Sequence, residues 1–457
     1  MFKQLCFRLL LLASAIATSL SAAAYSFESA GIYYNITGDN TVEVTYSDRD
    51  NNTYSGSISV PETVTNNGTE YSVTTIGESA FKGSAVTSVS MPEGITIIGF
   101  EAFSGCQNLE SVALPESLTT LGIRTFGGCQ SLKTIKIPSG VRAIPSSCFN
   151  GCSSLESVTI PEGVTSIEGS AFWSCNLNAL TLPESLETIG SYAFCNNCVL
   201  KSVNIPAKVK TIESDAFYNC GLTDLVIQEG VQTIGNNAFY GNSLKNLTLP
   251  STITSIGDWA FVHNNNLQTI ICNAVTPPTL VGNAFDSNIS IKVPLSSIAA
   301  YRQANGWKNF SNYYVGEVIA DGITYRIDEN DAMVAAAEAT LTEANIPSSV
   351  EFEGNQYPVI KINDSVFSGN TNLTSVTLPE SLTTLGDRAF YTCKSLKTIK
   401  IPSGVTAIPD CCFNHCLSLE SVTIPEGVTT IGDGAFIFCI YNHRTTKTNQ
   451  KYPSVNL

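Results

Sequence analysis

Residues 109–156 read LESVALPESLTTLGIRTFGGCQSLKTIKIPSGVRAIPSSCFNGCSSLE. One pattern is written twice here, 23 residues apart. A leucine (Leu109, Leu132) precedes an alternating apolar pair closed by proline (Val112, Leu114, Pro115; Ile135, Ile137, Pro138). Two further apolar positions follow (Leu118 and Leu121; Val141 and Ile144), then a small residue with Phe (Phe126, Phe149) and a cysteine three residues on (Cys129, Cys152). Outward from this stretch the Phe recurs at Phe81, Phe103, Phe126, Phe149, Phe172, Phe194, Phe217, Phe239, Phe261 and Phe285. It stops, then resumes at Phe367, Phe390, Phe413 and Phe436. A fixed period of this length is the mark of a stacked array, in which one unit buries little alone and neighbours share a core.

The local chemistry gives each coil its shape. Val112 and Leu114 have the two-residue period of a strand, so they face inward while Ser111 and Ala113 face out. Pro115 cannot donate to a ladder and ends the strand. A second short strand passes through Leu118 and Leu121. The Arg124–Gly127 stretch turns the chain back, predicted as one helical or 3₁₀ turn with Phe126 as core plug. Strand spacing sets a rise of roughly 4.8 Å per coil.

The string Leu155-Glu156-Ser157-Val158-Thr159-Ile160-Pro161-Glu162-Gly163-Val164, with Ala171-Phe172 and Cys175, resembles the leucine-rich repeat of BspA-like bacterial surface proteins. The resemblance covers most of the chain. It implies a secreted or surface-exposed protein, associated with adhesion to host proteins and other cells, and it brings no catalytic residues.

The expected fold is therefore a β-rich repeat solenoid of 22–23-residue leucine-rich coils, each with short strands and one helical turn, in two capped arrays. Residues 1–24 read as a signal peptide: Lys3 and Arg8, a short apolar run from Leu9 to Leu20, then Ala22-Ala23-Ala24 as a small-residue cleavage site. Residues 25–75 read as an N-terminal β-hairpin cap, because Ile32–Ile36 and Thr41–Tyr46 alternate about Gly38-Asp39-Asn40. The first array is assigned to 76–293. Its C-terminal cap is 294–319, with a short helix at 296–304, and Trp307 and Phe310 close the core. Residues 320–360 echo the first cap, and 331–344 balance helix propensity against that echo, which favours strand. A second, shorter array follows at 361–439, where 381–431 repeats 117–167 at a constant offset of 264. Residues 440–457 are polar and read as a disordered tail.

Composition narrows the function. The 457 residues carry a net charge of −15, which argues against nucleic acid and anionic membranes as partners. No apolar run reaches the 18 residues or so of a transmembrane helix. Cysteines sit one per coil at one repeat position (Cys106, Cys129, Cys152, Cys175; Cys393, Cys416, Cys439) and read as a ladder of small buried thiols. Cys195/Cys198 and Cys411/Cys412 break the ladder and are the better disulfide candidates. Only Cys195-Asn196-Asn197-Cys198 has a metal-binding spacing, and neither a metal nor a cofactor is expected.

No catalytic motif is found. His263, His415 and His443 read as surface residues. Glu93, Glu116, Glu162, Glu184, Glu380 and Glu426 follow the repeat proline and form an acidic ridge, read as solvated against a sharper calcium-ridge alternative. The outward strand positions are the binding candidates: Ser111, Thr134, Lys136, Ser157, Thr159, Thr181, Ser202, Asn204, Asp224, Asn246 and Thr248. They suit an exported, non-catalytic protein that binds host or neighbouring-cell surface proteins. The alternative is a glycan-binding accessory module of an extracellular enzyme system.

Overall fold

The computed structural model describes residues 25–49, 52–287 and 289–439. The signal-peptide and tail readings fall on 1–24 and 440–457, outside the described residues. The described chain forms two compact units, one reaching residue 289 and including 303–309, the other built from 290–302 and 310 onward.

In the first unit the alternating segment makes antiparallel strands Phe27–Ser29, Ile32–Gly38 and Thr41–Thr45. Thr41–Thr45 then pairs in parallel with Thr69–Ile76, which pairs with Ile97–Ile98, which pairs with Thr120–Leu121. Ser55–Ser59 covers the first edge of the other ladder by pairing with Ala85–Ser90. Most coils then contribute two short parallel strands. The second-strand ladder runs in register from Ala143–Ile144 through Ser166–Ile167, Thr188–Ile189, Thr211–Ile212 and Thr233–Ile234 to Ser255–Ile256. The first-strand ladder is broken into short sheets, such as Thr134–Lys136 with Thr159's strand Ser157–Thr159, and Ser202–Ile205 with Asp224–Ile227.

Between the ladders lies a column of phenylalanines. Phe81, Phe103, Phe126, Phe149, Phe172, Phe194, Phe217, Phe239 and Phe261 are fully buried. Consecutive rings lie 4.9–5.4 Å apart, nearly parallel. Tyr54 closes the N-terminal end, 4.8 Å from Phe81. Trp307 closes the other, buried 5.9 Å from Phe285, with its indole N–H donating to the Pro278 carbonyl. Phe310 is only half-buried.

The expected helical turn takes another form. From Phe81 to Phe261, the residue two before the Phe and the residue two after it have positive φ, as at Arg124 (57°) and Gly128 (75°). Left-handed residues placed around a right-handed one aim alternate N–H groups the same way. Arg124, Phe126 and Gly128 N–H thus donate to the Ser146, Cys148 and Asn150 carbonyls of the next coil, at 2.7–3.1 Å. Non-glycine residues resist this conformation, and the inter-coil ladder is what holds them in it. The first coil's Ala80 carbonyl has no preceding coil to serve, and the Asn52 side-chain amide caps it at 2.8 Å.

The residue three after Phe completes the ladder. The Cys106, Cys129, Cys152 and Cys175 thiols donate to the Phe81, Phe103, Phe126 and Phe149 carbonyls of the preceding coil at 2.9–3.2 Å. Burial pushes the Cys106 thiol up to about 11, so it keeps its proton at neutral pH. No disulfide joins the described cysteines. Cys195 and Cys412 are buried in the core while Cys198 is exposed and Cys411 half-exposed, so neither proposed bridge forms.

Three coils are one residue short between this position and the next leucine. Their leucine N–H cannot close on its own coil. The next coil answers with asparagine: Asn197, Asn242 and Asn264 each accept from that N–H (Leu177, Leu222, Leu244) and donate to the preceding Phe carbonyl.

At the turn after the first strand, Gly230 adopts φ +121°, and a Cβ there would stand 2.1 Å from the Ala207 carbonyl oxygen. Coils with Ser185, Lys208 or Thr252 at this place turn with ordinary φ. Gly230→Ala is expected to cost roughly 3 kcal/mol from combined strain and overlap, read as a lower urea midpoint.

The second unit repeats the wiring. Gly316–Ala320, Ile323–Ile327 and Ala332–Ala337 are antiparallel, so 331–344 holds strands and no helix. Ala332–Ala337 pairs in parallel with Asn355–Ile362, and that strand with Thr384–Leu385. Phe367, Phe390, Phe413 and Phe436 form its column at 5.2–5.4 Å. Leu295–Ser297 is a 3₁₀ turn leading into the helix Ile298–Gln303.

Candidate binding surface

The first strands place alternate side chains outward. Ser111, Thr134, Lys136, Thr159, Ser202, Asn204, Asp224, Asn246 and Thr248 are exposed, and Ser157 is half-buried. Pairing sets Thr134 beside Ser157, Lys136 beside Thr159, and Ser202 beside Asp224. Thr181 departs from the expected pattern. It is exposed, but residues 178–183 form no strand, so the row of outward residues is interrupted there.

Lys136 is not a free cation. Its ammonium lies 2.6 Å from Glu116, and Lys400 and Glu380 repeat the pair at 2.7 Å. Both pairs are well exposed, so each contributes little to stability. Val226, on the same face beside Asn204, is 55 % exposed.

The acidic ridge is solvent-exposed as expected, and several of its carboxylates also clamp the next coil. The Glu93 carboxylate accepts the backbone N–H groups of Glu116 and Ser117 in the next coil, at 3.1 and 3.0 Å. Glu162 does the same for Glu184 and Ser185, and Glu229 takes the N–H and hydroxyl of Ser251. These turns thus use a carboxylate to cap donors that no strand satisfies. Hydrogen bonding from Ser251 holds Glu229 below the usual carboxylate range, and the bond from Lys136 does so for Glu116. A folded-state value below the unfolded one gives stability that is complete above the unfolded value and lost as pH falls through the folded one. Urea midpoints are expected to be flat from pH 7 to about 5 and to drop below about 4, with a shallower acid slope in Glu229→Gln. A midpoint rising towards pH 3.5 would contradict the clamps.

His263 is exposed and His415 half-buried against Asn414. His443 lies outside the described residues. Among the described residues no three His, Cys, Asp or Glu side chains converge as a metal site would require, and no helix is long and apolar enough to cross a membrane.

Reading the strand face alone passed over the turn face. Trp173, Tyr192, Tyr218, Tyr240 and Trp259 project there, beside the buried Phe of five successive coils. The visible signal was the string of aromatics flanking the Ala-Phe pairs, as in Ala171-Phe172-Trp173 and Trp259-Ala260-Phe261.

Comparison with known proteins agrees with this geometry. A family described as the BspA type leucine rich repeat region matches residues 74–199, 187–298 and 337–453, in six copies. The crystal structure of a leucine-rich repeat protein from Bacteroides ovatus ATCC 8483 is 27% identical, with 91% of this chain and 93% of that one covered and a TM-score of 0.51. A leucine rich cell surface protein from Faecalibacterium prausnitzii A2-165 is 23% identical over 90% of this chain and 86% of that one, with a TM-score of 0.28. No curated protein matches.

Proposed function

Because the chain belongs to the family with BspA-type leucine-rich repeats, we propose that it is an exported, non-catalytic protein that holds a partner protein on its repeat surface. The observation that carries this reading is the outward face of the first strands, where Thr134, Lys136 and Thr159 stand in fixed register on a rigid stack. A non-catalytic role is supported by the carboxylates: Glu93, Glu162 and Glu229 are engaged in holding backbone N–H groups. Export is supported by the cationic and apolar sequence of residues 1–24. We read the chain as two repeat arrays in tandem, supported by the Lys136–Glu116 pair recurring as Lys400–Glu380.

The test is an immobilised full chain probed with extracellular-matrix and mucin proteins beside a glycan panel. Saturable binding to a protein is the expected result. Binding to glycans alone would replace this reading with the accessory-module one. Hydrolysis of a panel member that persists through purification would refute the non-catalytic part.

A further inference from the structure

The fold does not require the aromatic residues on the turn face of the first unit. Three places in each coil project there: two before the buried Phe, one after it and two after it. In the coils of Phe81 to Phe149 the first two places hold Ser79 and Lys82, Glu101 and Ser104, Arg124 and Gly127, then Ser147 and Asn150. The Phe column is equally regular beside these small and charged residues. From the coil of Phe172 to that of Phe261 the same places hold Trp173, Tyr192, Tyr218, Tyr240, Trp259 and His263.

These side chains form a surface. The Tyr218 and Tyr240 rings stack at 5.0 Å, with their planes 2° apart. Trp259 lies 6.2 Å from Tyr240 on a tilt of 27°, and His263 meets Tyr240 edge-on at 4.9 Å. Tyr192 lies beside Asp215 of the next coil, whose charge pushes the Tyr192 phenol above its ordinary value. Trp173, Tyr192 and Trp259 are 40 %, 46 % and 48 % exposed. Exposed tryptophan and tyrosine clustered in one place, on a frame indifferent to them, are the residue types that dominate binding energy at interfaces.

Charge selects the partner. From Trp173 to His263 these three places hold one carboxylate, Asp215, and no lysine or arginine. Asp258 adds a second acidic group immediately before Trp259, its carboxylate accepting the Asn283 N–H. Aromatic rings beside carboxylates, with no competing cation, attract a guanidinium or ammonium through ring faces and charge together. We propose that this turn face is a second binding surface, separate from the strand face, and that it docks a protein segment rich in arginine and lysine.

The chain carries its own probe. Of its three tryptophans, Trp173 and Trp259 lie in the patch and are exposed, whereas Trp307 is buried. The full chain would be titrated at physiological salt with an arginine-glycine peptide, with the same peptide carrying Glu for Arg, and with chito- and cello-oligosaccharides. Acrylamide quenching of tryptophan would be the readout. The arginine peptide is expected to shield two of the three tryptophans, and the glutamate peptide and sugars to shield none. Tyr192→Ala with Trp259→Ala leaves net charge unchanged and is expected to weaken the arginine peptide at least about tenfold, while Thr134→Glu with Thr159→Glu leaves the shielding of the patch in place. Wild-type tryptophans that stay open to acrylamide at saturating peptide would overturn the proposal without any variant. So would equal peptide affinity in the neutral double variant, since the general negative charge of the chain would then account for binding. Shielding by oligosaccharide alone would reassign the patch to glycans.

Discussion

Phe149→Ala is expected to destabilise the first unit by about 3–5 kcal/mol, the range for emptying a phenylalanine site in a packed core. Phe149 is fully buried, with Phe126 at 5.4 Å on one side and Phe172 at 5.2 Å on the other. Collapse around the gap is hard, because the backbone on both sides is pinned. Phe126 N–H donates to the Cys148 carbonyl and Phe149 N–H to the Ala171 carbonyl, both at 2.8 Å. In a stack where each coil touches only its neighbours, the loss also weakens the coupling of the coils on either side. Urea unfolding followed by circular dichroism should therefore shift to a lower midpoint and broaden, and hydrogen exchange should rise on both sides of the coil. A cost under about 1 kcal/mol would show that the column is not the core it looks like.

Asn242→Leu is expected to cost roughly 3 kcal/mol, although the new side chain is apolar and similar in size. Asn242 is buried, accepts from the Leu222 N–H at 2.9 Å, and donates to the Phe217 and Phe239 carbonyls at 2.9 Å. Leucine can do neither, so the buried Leu222 N–H loses its acceptor and the Phe217 carbonyl its donor, while the Phe239 carbonyl keeps the bond from Asn264; each group left unsatisfied costs about 1–3 kcal/mol. Asn242→Cys should cost less, because a thiol can still reach the Phe217 carbonyl as Cys220 reaches that of Phe194 at 3.0 Å. Inserting one residue between Cys220 and Leu222 would lengthen the preceding coil to the standard period. Its leucine N–H could then close on the carbonyl three residues back, as Leu132 does on Cys129, and Asn242→Cys should be tolerated. Equal urea midpoints for the asparagine and cysteine chains without the insertion would contradict this pairing of coil length with residue type.

That pairing marks where the sequence could be read and where it could not. The column of Phe81 to Phe285, the two short strands per coil and the buried thiols follow from period and polarity, which are local properties of residues such as Val112, Pro115 and Phe126. The exchange of Cys for Asn at Asn197, Asn242 and Asn264 was visible as letters. Its cause was not, because the donor it serves sits about twenty residues earlier, in another coil. The left-handed residues at Ser79, Arg124 and Asp215 show no common residue type. What fixes them is the hydrogen bonding between coils, so a single helical turn was the natural expectation. The glutamates are exposed as alternation and polarity suggest, but their second role was hidden for the same reason: the Glu116 and Ser117 N–H groups that Glu93 accepts belong to the next coil. On the strand face, Ser111, Thr134 and Lys136 were located by alternation alone, and Thr181 was misplaced because alternation says nothing about whether neighbouring coils meet. The turn-face aromatics were missed because the strand face was taken as the contact surface of a solenoid.

The proposed function stands most directly on one measurement: the affinity of the protein captured in the binding screen for a chain carrying Thr134→Glu, Lys136→Glu and Thr159→Glu. All three positions are exposed, so thermal melting should barely change. Binding through the strand face predicts at least about a tenfold loss of affinity at unchanged melting temperature. Unchanged affinity in a chain that melts normally would remove the strand face as the partner's site.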